Sequence, residues 1–256
     1  MRYFFLIIVV LISCRPKQEQ ESNLERPKYV QKQFQSTSIN LPYQILEPSV
    51  ISRNTPVVLF LHGAGERGEN NQNQLIHGSQ IFLDSIDLYP ALYVFPQCPI
   101  YDFWANVDVN RDSDELQLIF NAKGGPTPAM QAVIELMDDL IHEYKLNAYG
   151  HKVMGLSMGG MGTFEILTRK PELFNTAIAI CGGGNPEYID NYSNDLNLWI
   201  AHGEKDNVVN VKESELMHEA AQSAGLNVRF TIYPDVEHDS WTNVFEEADY
   251  LKYLFQ

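Results

Sequence analysis

The sequence predicts a single α/β domain in which helices cover both faces of a mostly parallel central sheet. Its 256 residues, 45% of them hydrophobic, are enough to bury one full-sized core. Continuous apolar runs alternate with helical patterns along the chain, and this alternation is typical of parallel strands joined by right-handed crossovers. We therefore expect residues 29–256 to form one folded domain.

Each predicted strand is a short run of apolar, strand-forming residues, as expected of strands buried on both faces. These runs lie at 56–61, 91–95, 152–156, 177–181, 197–201 and 228–233, and residues 28–48 hold two further strands separated by a turn. Helices are predicted at 128–144, 158–170, 211–224 and 241–255. The segment 101–127 does not fit the alternation, and we expect it to contain a hairpin around Glu115 to Phe120 and to overhang the functional site.

The first residues are interpreted as a secretion signal. Arg2 supplies a positive charge, and the apolar stretch from Tyr3 to Ile12 is too short to span a bilayer as a helix. The end of this stretch, LISC, resembles the lipobox of bacterial lipoproteins, in which the cysteine is lipidated and becomes the first mature residue. A plain secretory signal with an incidental cysteine is the alternative.

We therefore predict a signal peptide at 1–13 and a lipidated Cys14 that anchors the protein to a membrane outside the cytoplasm. The segment 14–28 has too few apolar side chains to offset the entropy of ordering, so we expect a polar tether. Arg15 is not the aspartate associated with inner-membrane retention, which favours the outer membrane. The net charge of −15 argues against a nucleic-acid partner, because phosphate would be repelled.

The strongest chemical signal is Gly155-Leu156-Ser157-Met158-Gly159, which follows a predicted strand and opens a predicted helix. This is the setting of a nucleophilic serine at a strained strand-to-helix turn, where side chains two residues on either side would collide. The alternative is a serine in an ordinary turn. If Ser157 attacks a carbonyl, the N-terminal end of the helix stabilises the oxyanion, with Met158 N–H as one donor.

A serine hydroxyl needs a neighbouring base, and the base needs a carboxylate to orient it. His238 follows the last predicted strand and is the candidate base; of the seven histidines it alone lies downstream of Asp206 in such a loop. Asp206 follows the strand at 197–201 and is the candidate acid, with Glu204 and Asp195 as reserves.

Two other histidines are assigned to structure, His62 to loop support and His218 to the surface of the 211–224 helix. The loop that begins at His62 follows the strand at 56–61, where a second oxyanion donor is expected. Ala64 N–H is the candidate.

Six ordered segments resemble a family of bacterial carboxylesterases that is often labelled predicted peptidase, phospholipase/carboxylesterase or dienelactone-hydrolase-like and is near the feruloyl and acetyl-xylan esterases. The segments are LFLHGAGERG (59–68), PQCP with a tryptophan shortly after (96–104), GLSMGGMGTF (155–164), ICGGG (180–184), HGEKDNVV (202–209) and YPDVEHDSW (233–241). The resemblance runs from about residue 40 to the C-terminus. It implies an α/β-hydrolase fold and cleavage of carboxylic esters without a metal or organic cofactor.

Two positions depart from that resemblance. Phe164 stands where a tryptophan is expected, and Asn210 stands where a proline often follows the aspartate loop.

In the usual strand order of this fold, three spacings of ~4.8 Å separate the strands that end near Cys98 and Cys181, so the two lie ~14 Å apart. A disulfide needs Cα atoms within ~7 Å, and we expect two free, mostly buried thiols.

The leading functional prediction is a serine esterase that acts on small or carbohydrate-linked acyl esters. Trp104, Trp241 and Tyr101 are candidates to line its pocket, with core packing as the alternative for each. A serine peptidase shares the same triad and remains open. A non-catalytic binding lipoprotein is less consistent with the sequence, because nucleophile, acid, base and oxyanion loop all occur in order.

Overall fold

A computed structural model describes residues 27–110 and 117–256 of the chain. The predicted signal peptide, Cys14 and Glu115 lie outside the described residues. The strands are β1 Val30–Gln35, β2 Asn40–Leu46, β3 Val57–Leu61, β4 Leu92–Pro96, β5 Val107–Asn110, β6 Gln117–Phe120, β7 His151–Leu156, β8 Phe174–Ile180, β9 Asn197–Gly203 and β10 Asn227–Tyr233. The helices are α1 Ser79–Ser85, α2 Pro128–Glu143, α3 Met158–Arg169, α4 Lys212–Ser223, α5 Trp241–Glu246 and α6 Tyr250–Leu254.

Eight strands form one sheet in the order β1-β2-β4-β3-β7-β8-β9-β10. The pairs β1–β2 and β2–β4 are antiparallel, and every later pair in that order is parallel. The mostly parallel sheet predicted from the apolar runs is confirmed, and each predicted strand is present with its ends displaced by three residues at most.

Alternate side chains of β3 show how the two faces of the sheet are covered. Leu59 and Leu61 belong to one hydrophobic cluster, which also contains buried residues of α2, α3 and α4. Val58 and Phe60 belong to a second cluster, which contains buried residues of α1, α5 and α6. Because successive side chains of a strand point to opposite faces, β3 is buried on both sides.

The helices begin and end where local chemistry dictates. Thr127 caps α2 by accepting the N–H of Met130, and Pro128 takes the first position, where a missing N–H costs nothing.

The predicted helix at 241–255 is instead two helices, because Glu247 is extended between α5 and α6. Glu247 accepts a hydrogen bond from the Tyr233 hydroxyl, which ties the break to β10. Helix α1 is absent from the sequence prediction, since its seven residues show too little periodicity.

The segment 101–127 contains the small antiparallel hairpin β5–β6, which is separate from the main sheet. The hairpin predicted around Glu115 to Phe120 is therefore present, but its first strand starts earlier, at Val107. Cys98 and Cys181 are buried free thiols, as predicted. Within the described residues, no helix has the length and apolar character needed to cross a bilayer.

Gly203, the last residue of β9, allows the loops that follow β9 and β10 to meet. A methyl group at Gly203 would overlap the carbonyl oxygens of Val236 and Glu237. We predict that Gly203→Ala lowers the free energy of unfolding by about 1–3 kcal/mol or more, the cost of forcing atoms into a packed region. Urea unfolding followed by circular dichroism measures this change.

Gly65 provides the matched control, because a methyl group there has no neighbour within 4 Å and the backbone has an ordinary φ. Gly65→Ala should leave the unfolding midpoint unchanged or raise it slightly. Equal stability of the Gly203 and Gly65 variants would contradict the close packing at β9.

Candidate active site

Ser157 lies between β7 and α3 in a strained backbone conformation, with φ 54° and ψ −116°. A methyl group at Gly155 would overlap the backbone of Gly159, and one at Gly159 would overlap the carbonyl oxygen of Leu61. The N–H of Ser157 donates to the carbonyl oxygen of Ile180 at 2.8 Å, which ties the turn to β8. The collision expected from the G-x-S-x-G spacing is thus the reason for both glycines.

A chain of hydrogen bonds joins Ser157, His238 and Asp206. Ser157 Oγ lies 2.9 Å from His238 Nε2, and His238 Nδ1 lies 2.7 Å from Asp206 Oδ2. Since the ionised carboxylate can only accept, His238 Nδ1 carries the proton and Nε2 is free to take the serine proton. The arrangement can activate Ser157 as a nucleophile.

Four donors surround the carboxylate of Asp206, whose side chain is buried. Oδ1 accepts the N–H groups of Val208 and Val209 at 2.9 Å each, and Oδ2 faces both His238 and His202. Burial alone would raise the pKa of Asp206, but the hydrogen bonds from His202, His238, Val209 and Val208 outweigh it and hold the pKa well below its usual range. Asp206 therefore stays ionised.

His202 is a part of this site that the sequence analysis did not single out. It is fully buried, and its Nε2 lies 3.1 Å from Asp206 Oδ2 and 2.9 Å from the carbonyl oxygen of Val209. Its Nδ1 lies 2.7 Å from Ser214 Oγ, and the same oxygen lies 2.9 Å from the carbonyl oxygen of Gly182. The sequence feature that could have identified it is the His-Gly pair that opens HGEKD (202–206), because this histidine stands four residues before Asp206.

Three side chains hold the consecutive carbonyl groups of the loop after β3. Trp104 Nε1 donates to His62 O, His62 Nδ1 donates to Gly63 O at 2.6 Å, and Arg67 Nε donates to Ala64 O. His62 Nε2 accepts the Cys98 N–H, which fixes the tautomer. Burial lowers the pKa of His62 to about 4, so this ring is neutral near pH 7.

The Gly63 carbonyl belongs to the same peptide group as Ala64 N–H. The predicted second oxyanion donor therefore sits on a peptide whose orientation is fixed by His62. In the described part of the chain, no backbone acceptor takes the Ala64 N–H. Met158 N–H is the first of α3, so it has no partner inside the helix.

The three aromatic pocket candidates occupy different positions. Trp104 is fully buried in the core and holds the carbonyl oxygen of His62, so the prediction that it lines a pocket is wrong. Tyr101 is 71% exposed and lines a cleft of about 540 Å³ to which no triad residue contributes. Trp241 is half-buried, with its ring 5.6 Å from the His238 ring and nearly perpendicular to it. Of the three, Trp241 alone adjoins the triad.

The hairpin β5–β6 packs beside the nucleophile turn. Val107, Leu118 and Phe120 contact a small cluster that contains Met161 of α3 and Val209 of the aspartate loop. The expectation that segment 101–127 lies over the site agrees with this packing.

Phe164 is buried in the core, so its departure from the expected tryptophan affects packing.

The remaining candidates lie away from the triad. Glu204 is exposed and accepts the N–H of Asp235, and Asp195 is also exposed. His218 is half-buried on α4 and stacks on Phe230. Neither reserve carboxylate is bonded to His238.

Cys181, Asp206 and His238 place potential metal-ligand atoms within 4.8 Å of one another. Burial raises the pKa of the Cys181 thiol, and the charge of Asp206 raises it further. The thiol therefore stays protonated, and the nitrogen and oxygen atoms are already hydrogen-bonded to each other. This chemistry does not favour a cation.

The chain is similar in sequence and in structure to known esterases and to a thioesterase. It is 24% identical over 221 residues to acyl-protein thioesterase 1 of Neurospora crassa, covering 80% of this chain and 87% of that protein. A solved thermostable esterase is 30% identical with a TM-score of 0.78, covering 89% of this chain; the chain spans 62% of that esterase's length.

A feruloyl esterase of Anaeromyces mucronatus, solved with ferulic acid, superposes with a TM-score of 0.64 at 16% identity, covering 96% of this chain and 98% of that one. At this identity the likeness concerns the fold. Residues 45–254 match the phospholipase/carboxylesterase family, in agreement with the six segments recognised in the sequence. The protein therefore belongs to the phospholipase/carboxylesterase family and has the α/β-hydrolase fold.

Proposed function

We propose that the protein is a serine carboxylesterase that cleaves small acyl or carbohydrate-linked esters through an acyl-enzyme intermediate. The observation that carries this proposal is the hydrogen-bonded series Ser157, His238 and Asp206 at a strained strand-to-helix turn. Its support from relatives is the family match and the esterase and thioesterase names of similar proteins.

In the first half of the reaction, His238 Nε2 takes the proton of Ser157 as Oγ attacks the ester carbonyl carbon. The oxyanion that forms accepts hydrogen bonds from Ala64 N–H and Met158 N–H, each worth on the order of 3 kcal/mol. Protonated His238 then gives its proton to the alcohol oxygen, the carbon–oxygen bond breaks, and Ser157 keeps the acyl group.

In the second half, water attacks the acyl-enzyme while His238 takes one of its protons. Collapse of the second tetrahedral intermediate returns that proton to Ser157 Oγ and releases the carboxylic acid. Asp206 stabilises the imidazolium in both halves without taking the proton, because its four hydrogen bonds keep it ionised.

The location is part of the same proposal. A lipid on Cys14 and the polar tether that follows would hold the domain at a membrane outside the cytoplasm. Its support is the resemblance of LISC to a lipobox. Two or more acyl chains anchor a protein stably where one is marginal.

We predict that Ser157→Ala lowers kcat on p-nitrophenyl acetate by ~10⁴-fold or more, because the acyl-enzyme can no longer form. Asp206→Asn should cost ~10⁴-fold by disturbing the imidazole tautomer. Steady-state kinetics and labelling by a fluorophosphonate probe measure both effects, and Ser49→Ala, at an exposed serine, is the control.

The assay includes methyl ferulate and an aminoacyl-nitroanilide beside the nitrophenyl esters. Turnover of the nitroanilide alone would favour the peptidase. A folded wild-type protein that neither reacts with the probe nor cleaves any ester would contradict the enzyme proposal and favour a binding protein.

We predict that His202→Leu lowers kcat by about tenfold or more, because a hydrogen bond to a charged group is worth ~1.5–3 kcal/mol. The lost donor leaves Asp206 Oδ2 more available to protonated His238. Since His238 must be neutral to act as base, the acid limb of the kcat/KM profile moves to higher pH. His202→Gln, which can restore a donor, should recover part of both effects.

His151 is the matched control for this profile. It is also buried, its Nδ1 accepts the Val57 N–H and its Nε2 donates to the carbonyl oxygen of Asn147, away from the triad. His151→Gln should lower the melting temperature without moving the acid limb. An unmoved limb in His202→Leu would restrict His202 to a structural role.

We predict that Cys14→Ser moves the protein from the membrane fraction to the soluble fraction, because no lipid can be attached. Cell fractionation with metabolic labelling by a radioactive fatty acid measures this. Labelling that persists in Cys14→Ser, or wild-type protein without label, would contradict the tether.

A further inference from the structure

Glu66 is a mostly buried carboxylate beside the nucleophile that the proposed reaction does not use. It ends a short turn, Ala64–Glu66, and its side chain is 13% exposed. A methyl group at Gly63 would lie 3.0 Å from Glu66 Oε2 and 3.7 Å from Ser157 Cβ. Glu66 Oε2 and Ser157 Cβ thus both lie close to the same point beside Gly63, and the carboxylate is a near neighbour of the nucleophile.

The backbone of Glu66 is held in place, whereas its carboxylate is not saturated. Glu66 N–H donates to the Gly63 carbonyl oxygen, and Gln97 Nε2 donates to the Glu66 carbonyl oxygen at 3.0 Å. Among the residues that the structure describes, the carboxylate has one polar contact, His77 Nε2 at 3.7 Å, which is too long for a hydrogen bond. Its oxygens are left free to accept hydrogen bonds.

Trp241 continues this surface from Glu66 and His77 to the catalytic histidine. The Trp241 ring lies 5.3 Å from the His77 ring and 5.6 Å from the His238 ring. Glu66, His77 and Trp241 thus form an arc that starts beside Ser157 and ends at His238. Trp241 is half-buried, and the side chain of His77 is 31% exposed.

The proposed reaction indicates which half of the ester, acyl or alcohol, lies against this arc. His238 Nε2 must come within hydrogen-bond reach of the alcohol oxygen to protonate it. The rest of the alcohol half then extends over the groups next to His238, and Trp241 is one of them. The arc therefore lies on the alcohol side of the scissile bond.

We propose that Glu66, His77 and Trp241 form the subsite for the alcohol half of the ester and select alcohols with free hydroxyl groups, such as a sugar ring. Glu66 accepts hydrogen bonds from the hydroxyl groups, and His77 offers a second polar partner. Trp241 packs against the apolar C–H surface of the ring. The negative charge of Glu66 disfavours an anionic alcohol half. This subsite rests on the proposed esterase function.

The test compares three esters that share one acyl group: ethyl acetate, an acetylated methyl glucoside and acetylcholine. The wild-type protein should give a higher kcat/KM on the acetylated glucoside than on ethyl acetate. In Glu66→Gln that ratio should fall about tenfold, the loss expected for a hydrogen bond to a charged acceptor. Titration of released acetic acid measures all three rates.

Glu69→Gln is the matched control, because Glu69 is an exposed carboxylate of the same loop and its substitution changes the charge equally. It should leave both the rates and the ratio unchanged. If Glu66→Gln unfolds at a lower temperature than the wild type, His77→Ala serves as the second variant and should lower the ratio in the same direction.

An unchanged ratio in folded Glu66→Gln, an equal fall in Glu69→Gln, or a preference of the wild type for acetylcholine would overturn the subsite. Each of these outcomes leaves the esterase proposal standing, because esters are still cleaved. A wild-type protein that cleaves none of the three esters and no nitrophenyl ester would overturn both proposals.

Discussion

The contact between the ends of β3, β7 and α3 is the constraint on which the site depends. The backbone of Gly159 lies against the carbonyl group of Leu61 and against Gly155, with no space for a side chain at either glycine. At this contact Ser157 has a positive φ and directly precedes the first residue of α3. The loop after β3 lies beside Ser157, since a methyl group at Gly63 would be 3.7 Å from Ser157 Cβ.

Charge balance sets the second requirement, since a buried carboxylate is costly unless its oxygens are hydrogen-bonded. Asp206 meets that cost with two backbone N–H groups and two histidines. A carboxylate held in this way remains an anion throughout the reaction and fixes His238 in one tautomer. His202 is fully buried against this carboxylate, and this contact is the basis of the effect that we predict for His202→Leu.

The sequence predicted the sheet and the triad because both have strong local signatures. Continuous apolar runs marked every parallel strand, and His238 was unique downstream of Asp206 in a loop after a strand. Trp104 was misassigned because an aromatic residue near a site has the same sequence pattern whether it lines a pocket or packs beneath one. Only the contact between its ring nitrogen and His62 distinguishes the two.

Of the proposed subsite residues the sequence indicated only Trp241, and Glu66 and His77 were missed for a different reason. Glu66, His77 and Trp241 come from separate segments, and nothing in their spacing indicates that they meet. Their proximity follows from the turn after β3 and from the position of α5, neither of which has a periodic signature. The break at Glu247 likewise coincides with a tertiary contact, the hydrogen bond that Glu247 accepts from Tyr233.

Two His-Gly pairs use one structural device at the ends of β3 and β9. The pairs are His62-Gly63 and His202-Gly203. In each pair the histidine is buried and both ring nitrogens are hydrogen-bonded, which holds the loop that follows the strand in place. Gly203 lies against the carbonyl oxygens of Val236 and Glu237 with no space for a side chain, and a methyl group at Gly63 would lie 2.9 Å from Leu156 Cδ1. His62 orients the peptide that carries the proposed oxyanion donor, Ala64 N–H, and His202 contacts Asp206, the proposed acid. A substitution at His62 therefore acts through the loop it holds, and one at His202 acts also through its contact with Asp206. If the proposed subsite is correct, substitutions at Glu66, His77 or Trp241 instead change which alcohol half is accepted.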